Sequence, residues 1–250
     1  MTINPLLEEL KKLRESSKYA VAQGTYSNLN EFKKYLHIER EVEKKLKTII
    51  TKASENNKSQ LLLVCGNVGD GKSHILSHLH DELKDVISQF TIHNDATESH
   101  NPNESSNETL YKLLEGFKDD NLKDSNDKII LAINLGTLSK FIEEYGEEFK
   151  ALKAYINKNK ILDTDLIHND EFDSTSNFHH VNFTDYHIYS LTENGAESDI
   201  ITTLLEKIVS DNEANTIYKA YLFKSKINSI ASLVKYLLKK YFIIFNQGEK

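Results

Sequence analysis

The chain is poor in the residues that build covalent frameworks, stiff linkers and membrane anchors. Cys65 is the one cysteine in 250 residues, so an intrachain disulfide is excluded and a reducing compartment, the cytoplasm, is expected. Two prolines, Pro5 and Pro102, leave no proline-rich linker. No apolar run approaches the ~20 residues that cross a bilayer, and the first residues form no signal-peptide h-region, so no membrane association is expected. Arg14 and Arg40 are the only arginines, too few for the arginine-rich lid of a small-molecule kinase. The absence of H-E-x-x-H and of a second cysteine excludes the usual zinc sites, and the absence of G-x-S-x-G an esterase-type hydrolase. His78 and His80, two apart on a helix, face different sides and do not chelate together.

One stretch stands out against that background. Leu61, Leu62, Leu63, Val64 and Cys65 are apolar without interruption, as in a strand covered on both faces. Gly66, Asn67, Val68, Gly69, Asp70, Gly71, Lys72 and Ser73 follow, matching the phosphate-loop pattern G-x-x-x-x-G-K-[ST]. His74 then opens a helical run with Ile75, Leu76, Leu79 and Leu83 on one side. A chain of this length matches that pattern by chance about once in a hundred, and a plain glycine-rich turn leaves Lys-Ser unexplained. In such a loop the glycines bring backbone N–H groups close to phosphate oxygens and the helix N-terminus adds positive partial charge. Lys72 would reach the β- and γ-phosphates and Ser73 would offer its hydroxyl to Mg2+. Gly66 to His74 are thus the expected nucleotide site. With no N-K-x-D element to mark guanine, ATP with Mg2+ is the expected ligand.

Apolar runs alternate with helical patterns along the rest. Gln89 to His93, Lys128 to Asn134, and Phe178 to Leu191 with a break near Asp185 read as strands. Helices are expected over 108–117, 137–145, about 147–157 and 197–210, and an exposed loop over 158–177. This succession predicts an α/β fold, a P-loop NTPase-type three-layer sandwich with a mostly parallel sheet. Residues 59–214 would form the nucleotide-binding domain, 1–58 a helical lead-in and 215–250 a helical basic tail. The lead-in reads as a helix over 5–19 and two further pieces around His37, with Val42, Leu46, Ile49 and Ile50 as its apolar stripe. Glu39, Arg40, Glu41, Glu43, Lys44 and Lys45 are expected to face water. Residues 1–60 carry 12 Lys and Arg against 8 Asp and Glu, and residues 217–250 carry 7 against 1. The middle, 61–216, therefore carries −17 within a chain total of −7, which argues against a self-sufficient, non-specific nucleic-acid binder.

A hydrolysing phosphate-loop enzyme needs an acid for Mg2+ and a residue that orients the attacking water. The best apolar strand ends in Asn134, which is neutral. Asp95 and Glu98 follow the second strand, expected beside the loop strand, and are the candidates for orienting water. Asp70 is expected to face solvent or a partner rather than the metal. Thr192 and Asn194 would sense the γ-phosphate from a fourth strand, against a simple turn at Asn194-Gly195.

Three blocks together, residues 65–74, His93-Asn94-Asp95-Ala96-Thr97-Glu98-Ser99 and Ala132-Ile133-Asn134-Leu135-Gly136, resemble the DptF family. Its members are the ATPase-like components of bacterial DNA phosphorothioation-dependent restriction systems. Val181-Asn182-Phe183-Thr184-Asp185-Tyr186 extends the resemblance, which covers about residues 20–215. It implies a cytoplasmic defence protein, an ATP-binding and ATP-hydrolysing motor or switch that works with other restriction subunits and meets DNA through the complex. Family members continue beyond this length, so the lysine- and tyrosine-rich tail is expected to be a truncated continuation. The alternative is a nucleotide-binding scaffold without turnover, suggested by the neutral Asn134.

Overall fold

Six consecutive buried residues, Gln60–Cys65, form β1, the central strand of the protein. The computed structural model describes residues 6–13, 31–93, 105–163, 171–193 and 195–224. β1 is flanked by β3 (Lys128–Ile133) and β4 (Phe178–Asn182), while β2 (Thr91–His93) pairs with the far side of β3. All three pairings are parallel, and the order is β2-β3-β1-β4. β1 and β3 are apolar with little alternation because both faces are covered, and β4 is buried throughout although it carries His179, His180 and Asn182.

Side-chain alternation divides the core into two layers. Leu61, Leu63 and Cys65 point with Ile129, Leu131, Ile133 and Phe178 into a cluster that includes Leu110, Phe141, Phe149 and Leu152. Those partners lie on and beside α6 (Ser106–Leu113), α7 (Leu135–Tyr145) and α8 (Lys150–Lys158). Leu62, Val64, Ile130, Ala132 and Val181 point the other way, against Leu46, Ile50, Leu76 and Leu79. These belong to α3 (Glu41–Ser54) and α4 (Lys72–Glu82), joined by the short α5 (Lys84–Ile87). Helices therefore cover both faces of the parallel sheet. Each fully buried Leu or Ile contributes about 1.5–3 kcal/mol, so β1 alone anchors much of the body.

Packing divides the described residues into two compact units. One, the sheet unit, holds 39–93, 105–163 and 171–187; the other holds 6–13, 31–38, 188–193 and 195–224. The second unit comprises α1 (residues 6–13), α2 (Glu31–Leu36), the antiparallel hairpin β5 (Ser190–Thr192) and β6 (Gly195–Glu197), α9 (Asp199–Val209) and α10 (Thr216–Lys224). Phe32, Ile208 and Ile217 form its core, with Leu6, Leu10, Leu36 and Leu204 against them. Tyr35 Oη donates to the Lys207 carbonyl at 2.7 Å and Asn215 Nδ2 to the carbonyls of Lys207, Ile208 and Ser210.

This division differs from the three-way reading 1–58, 59–214 and 215–250. α3 packs on the sheet because Val42, Leu46, Ile49 and Ile50 are needed to cover it, whereas α2 and α9 share the second core. Glu43, expected in solvent, is buried on α3, its Oε1 2.8 Å from His78 Nδ1 on α4. The run expected over Phe178 to Leu191 with a break near Asp185 divides into β4, ending at Asn182, a 3-10 turn, Phe183–Asp185, capped by Asn182 Oδ1 accepting from Thr184 N at 3.2 Å, and the separate strand β5. α6 starts two residues earlier than expected because Ser105 and Glu108 form a reciprocal capping box. Among the described residues no helix is long and apolar enough to cross a membrane.

Candidate functional site

Parallel strands deliver their carboxyl ends to one edge of the sheet, and here three arrive side by side. Cys65 is in register with Ile133 on one side and Asn182 on the other. Gly66, Asn134 and Phe183 therefore follow as neighbours, the place where open α/β sheets bind ligands. Loop 66–71 links β1 to α4 within this row.

The loop's shape depends on glycine at two positions. Gly66 has φ +150°, and a Cβ there would stand 2.8 Å from both Asp70 Oδ2 and Phe183 Cβ. Gly71 is left-handed at φ 90°, ψ 14°, and is the N-cap of α4, with no side chain capping the helix. The first turn of this 11-residue helix contains no acid, so its leading N–H groups and partial positive charge are presented to the loop. Lys72, the first residue of α4, folds over the loop: its Nζ donates to the Gly66 carbonyl at 2.9 Å and the Asn67 carbonyl at 2.7 Å. A cationic amine is thereby fixed above a turn of backbone. Ser73 and His74 continue the first turn of α4, and Val68 projects into solvent, 95% exposed.

Asp70, expected to face solvent or a partner rather than a metal, is half-buried at the edge of the loop. Its Oδ2 accepts from the Asn67 backbone N–H at 2.5 Å, so the loop carries its own carboxylate against one of its amides. Short-range pairing wins here because the turn 67–70 brings the two within reach, as in other Asx-type motifs.

Arg40 is the neighbour that sequence reasoning missed. Just before α3, it donates from Nη1 to the Asp70 carbonyl at 2.7 Å and from Nη2 to the Tyr186 carbonyl at 3.2 Å. Its guanidinium carbon lies 5.7 Å from the Phe183 ring centroid. Burial lowers its pKa, with Asp70 and Glu43 opposing. Thirty residues of chain separate it from the loop and no motif marks it; only the packing of α3 on the sheet brings it there.

Asp185 is a second charged residue close to the end of β1. It ends the 3-10 turn after β4, and it acts on the same thiol as Lys72. Burial pushes Cys65 up to about 12, with Lys72 opposing and Asp185 reinforcing. Cys65 is thus a packed, unreactive strand residue.

Asn134 stands beside the loop, but its Oδ1 accepts from Thr137 N at 2.7 Å as the N-cap of α7. That oxygen is committed to capping the helix. Asp95 and Glu98 lie outside the described residues. β2 pairs with β3 and not with β1, so the neighbours of the loop strand are β3 and β4. Thr192 is in the β5–β6 hairpin of the other unit, where its Oγ1 donates to the Gly195 carbonyl at 3.1 Å; it does not extend a fourth sheet strand. Asn194 lies outside the described residues. His179 and His180 point to opposite faces of β4, His179 to Gln60 and His180 to Tyr155, and do not converge on a metal.

Comparison of the chain with family models, curated proteins and solved structures finds no match.

Proposed function

We propose that the chain binds ATP with Mg2+ on loop 66–73 and acts as an ATP-hydrolysing motor or switch subunit of a phosphorothioation-dependent DNA restriction complex. The fold would be that of a P-loop NTPase, and the partners would be the other restriction subunits, with DNA met through them. The observation that carries the nucleotide reading is Lys72 anchored over a glycine turn at the side-chain-uncapped N-terminus of α4. Backbone donors, a helix N-terminus and a fixed ammonium together favour a polyphosphate over other small anions. The defence role rests on the resemblance of the three sequence blocks to the DptF family.

Within that reading Lys72 neutralises the β- and γ-phosphates, and the amides of Gly69, Gly71 and Ser73 supply donors. Ser73 would hold Mg2+, which offsets phosphate charge when bound. Asn134 donates its amide from the adjacent strand end. Asp95 or Glu98 would orient water, and Asp185 is an acid on the opposite side of the row. Titration of ATP and GTP with Mg2+ into the full chain, followed by phosphate release with and without DNA, tests this. Saturable ATP binding with turnover supports it; no binding refutes it.

A nucleotide-binding scaffold is the second reading. It is favoured by Asn134, which is neutral and whose oxygen caps α7. ATP binding without phosphate release, alone or with DNA, would select it.

A further inference from the structure

Arg40 sits where no sequence motif places it, and its contacts are specific. One guanidinium nitrogen takes the carbonyl of Asp70, inside the loop. The other takes the carbonyl of Tyr186, just after the 3-10 turn that ends β4. Phe183 packs against the same guanidinium, and Nη1 lies 3.5 Å from where a Cβ on Gly71 would stand. The planar fork thus spans two segments that β1 and β4 bring together but that share no strand hydrogen bonds of their own.

We propose that Arg40 is a positioning residue for the phosphate loop, holding the 70–71 peptide in the orientation that receives a nucleotide's phosphates. The inference rests on the nucleotide reading above. A trans peptide carries its C=O and the next N–H on opposite sides. Pinning the Asp70 carbonyl to Arg40 therefore turns the Gly71 N–H away from Arg40 and fixes its direction. Gly71, without a Cβ and at positive φ, would otherwise let that peptide turn more readily than any other residue type there. A loop held in one conformation before the ligand arrives loses less entropy when it binds. Lysine cannot replace this contact: its ammonium has no planar fork for two divergent carbonyls and does not stack flat on a ring.

The test compares the full-length wild type with Arg40→Ala and Arg40→Lys, reading MgATP affinity by calorimetry and thermal stability without nucleotide. If wild type binds, Arg40→Ala is expected to weaken MgATP by roughly tenfold or more, the scale of one lost charge-assisted hydrogen bond. Arg40→Lys is expected to retain the melting temperature while recovering little of the affinity. Wild-type affinity in Arg40→Ala overturns the proposal. So does Arg40→Lys restoring both stability and affinity, since charge and bulk alone would then suffice. If wild type itself fails to bind, the nucleotide reading falls first and this inference with it, an outcome distinct from the other two.

Discussion

The two edges of the parallel sheet are built from the same strands and solve opposite problems. At the amino edge every polar group named is turned sideways onto protein. Gln60 N donates to Asp127 O and Leu61 N to Asn177 O, both at 2.8 Å. Gln60 Nε2 donates to the Ser59 carbonyl and Asn177 Nδ2 to the Ser59 carbonyl and hydroxyl. His179 donates from Nε2 to Gln60 Oε1 at 2.9 Å and stacks on Phe172 with ring centroids 4.5 Å apart. At the carboxyl edge the backbone turns at positive φ, a lysine lies across it, and an arginine braces it from outside. One edge closes the body by local pairing; at the other, Lys72 and Arg40 hold the carbonyls of a glycine turn. On the proposed function, stability and ligand binding would be separated along a single strand, β1.

The largest expected effect breaks the carboxyl edge at its cation. Lys72→Ala should abolish measurable nucleotide binding, a loss of at least about a hundredfold for removing a charge-assisted phosphate contact, with the melting temperature nearly unchanged. Calorimetric titration with MgATP checks it.

The amino edge should break with pH. Burial holds His179 down to about 4 against an ordinary 6.5, with Asp173 opposing. Its neutral form is the folded one, so its contribution is complete above about pH 6.5 and is lost as pH falls towards 4. The loss amounts to roughly 3 kcal/mol. Urea unfolding across that range should show the fall, and His179→Gln should flatten it.

Gly66→Ala probes the loop by shape. The Cβ would meet Asp70 Oδ2 and Phe183 Cβ at 2.8 Å, at a φ that L residues avoid. A destabilisation of about 1–3 kcal/mol is expected, together with weaker nucleotide binding. By contrast Gln60→Ala should destabilise by about 1–3 kcal/mol by stripping His179 of its partner, yet leave nucleotide affinity at the wild-type value. Equal damage to affinity from both variants would erase the contrast between the edges.

The smallest effect has the opposite sign. Asp70→Asn removes a negative charge that lies against a loop amide. MgATP affinity should rise about threefold, on the scale of a solvent-screened charge interaction, by the same titration.

Much of the sheet unit was legible because its two inner strands carry uninterrupted apolar runs, and 61–65 and 129–133 leave little room for another reading. The turn from β1 to α4 was legible for a different reason: its glycine spacing is local. What escaped depended on distance. Arg40 and Glu43 read as members of a solvated charged face, and only α3's obligation to cover the sheet turned them inward. Asn134 was located correctly, but its bond to Thr137 N is a choice between helix capping and ligand contact that composition does not decide. The break near Asp185 was legible in the fourth strand run, but not that residues 190–192 pair with 195–197 in a separate hairpin instead of rejoining the sheet.

The most direct measurement is an amide-resolved NMR titration of the full chain with MgATP, comparing the two edges. The account predicts large shifts for the N–H groups of Gly69, Gly71, Lys72 and Ser73, with Ser59, Gln60 and Asn177 unmoved. Shifts centred on the amino edge, or none at the loop under saturating nucleotide, would contradict it.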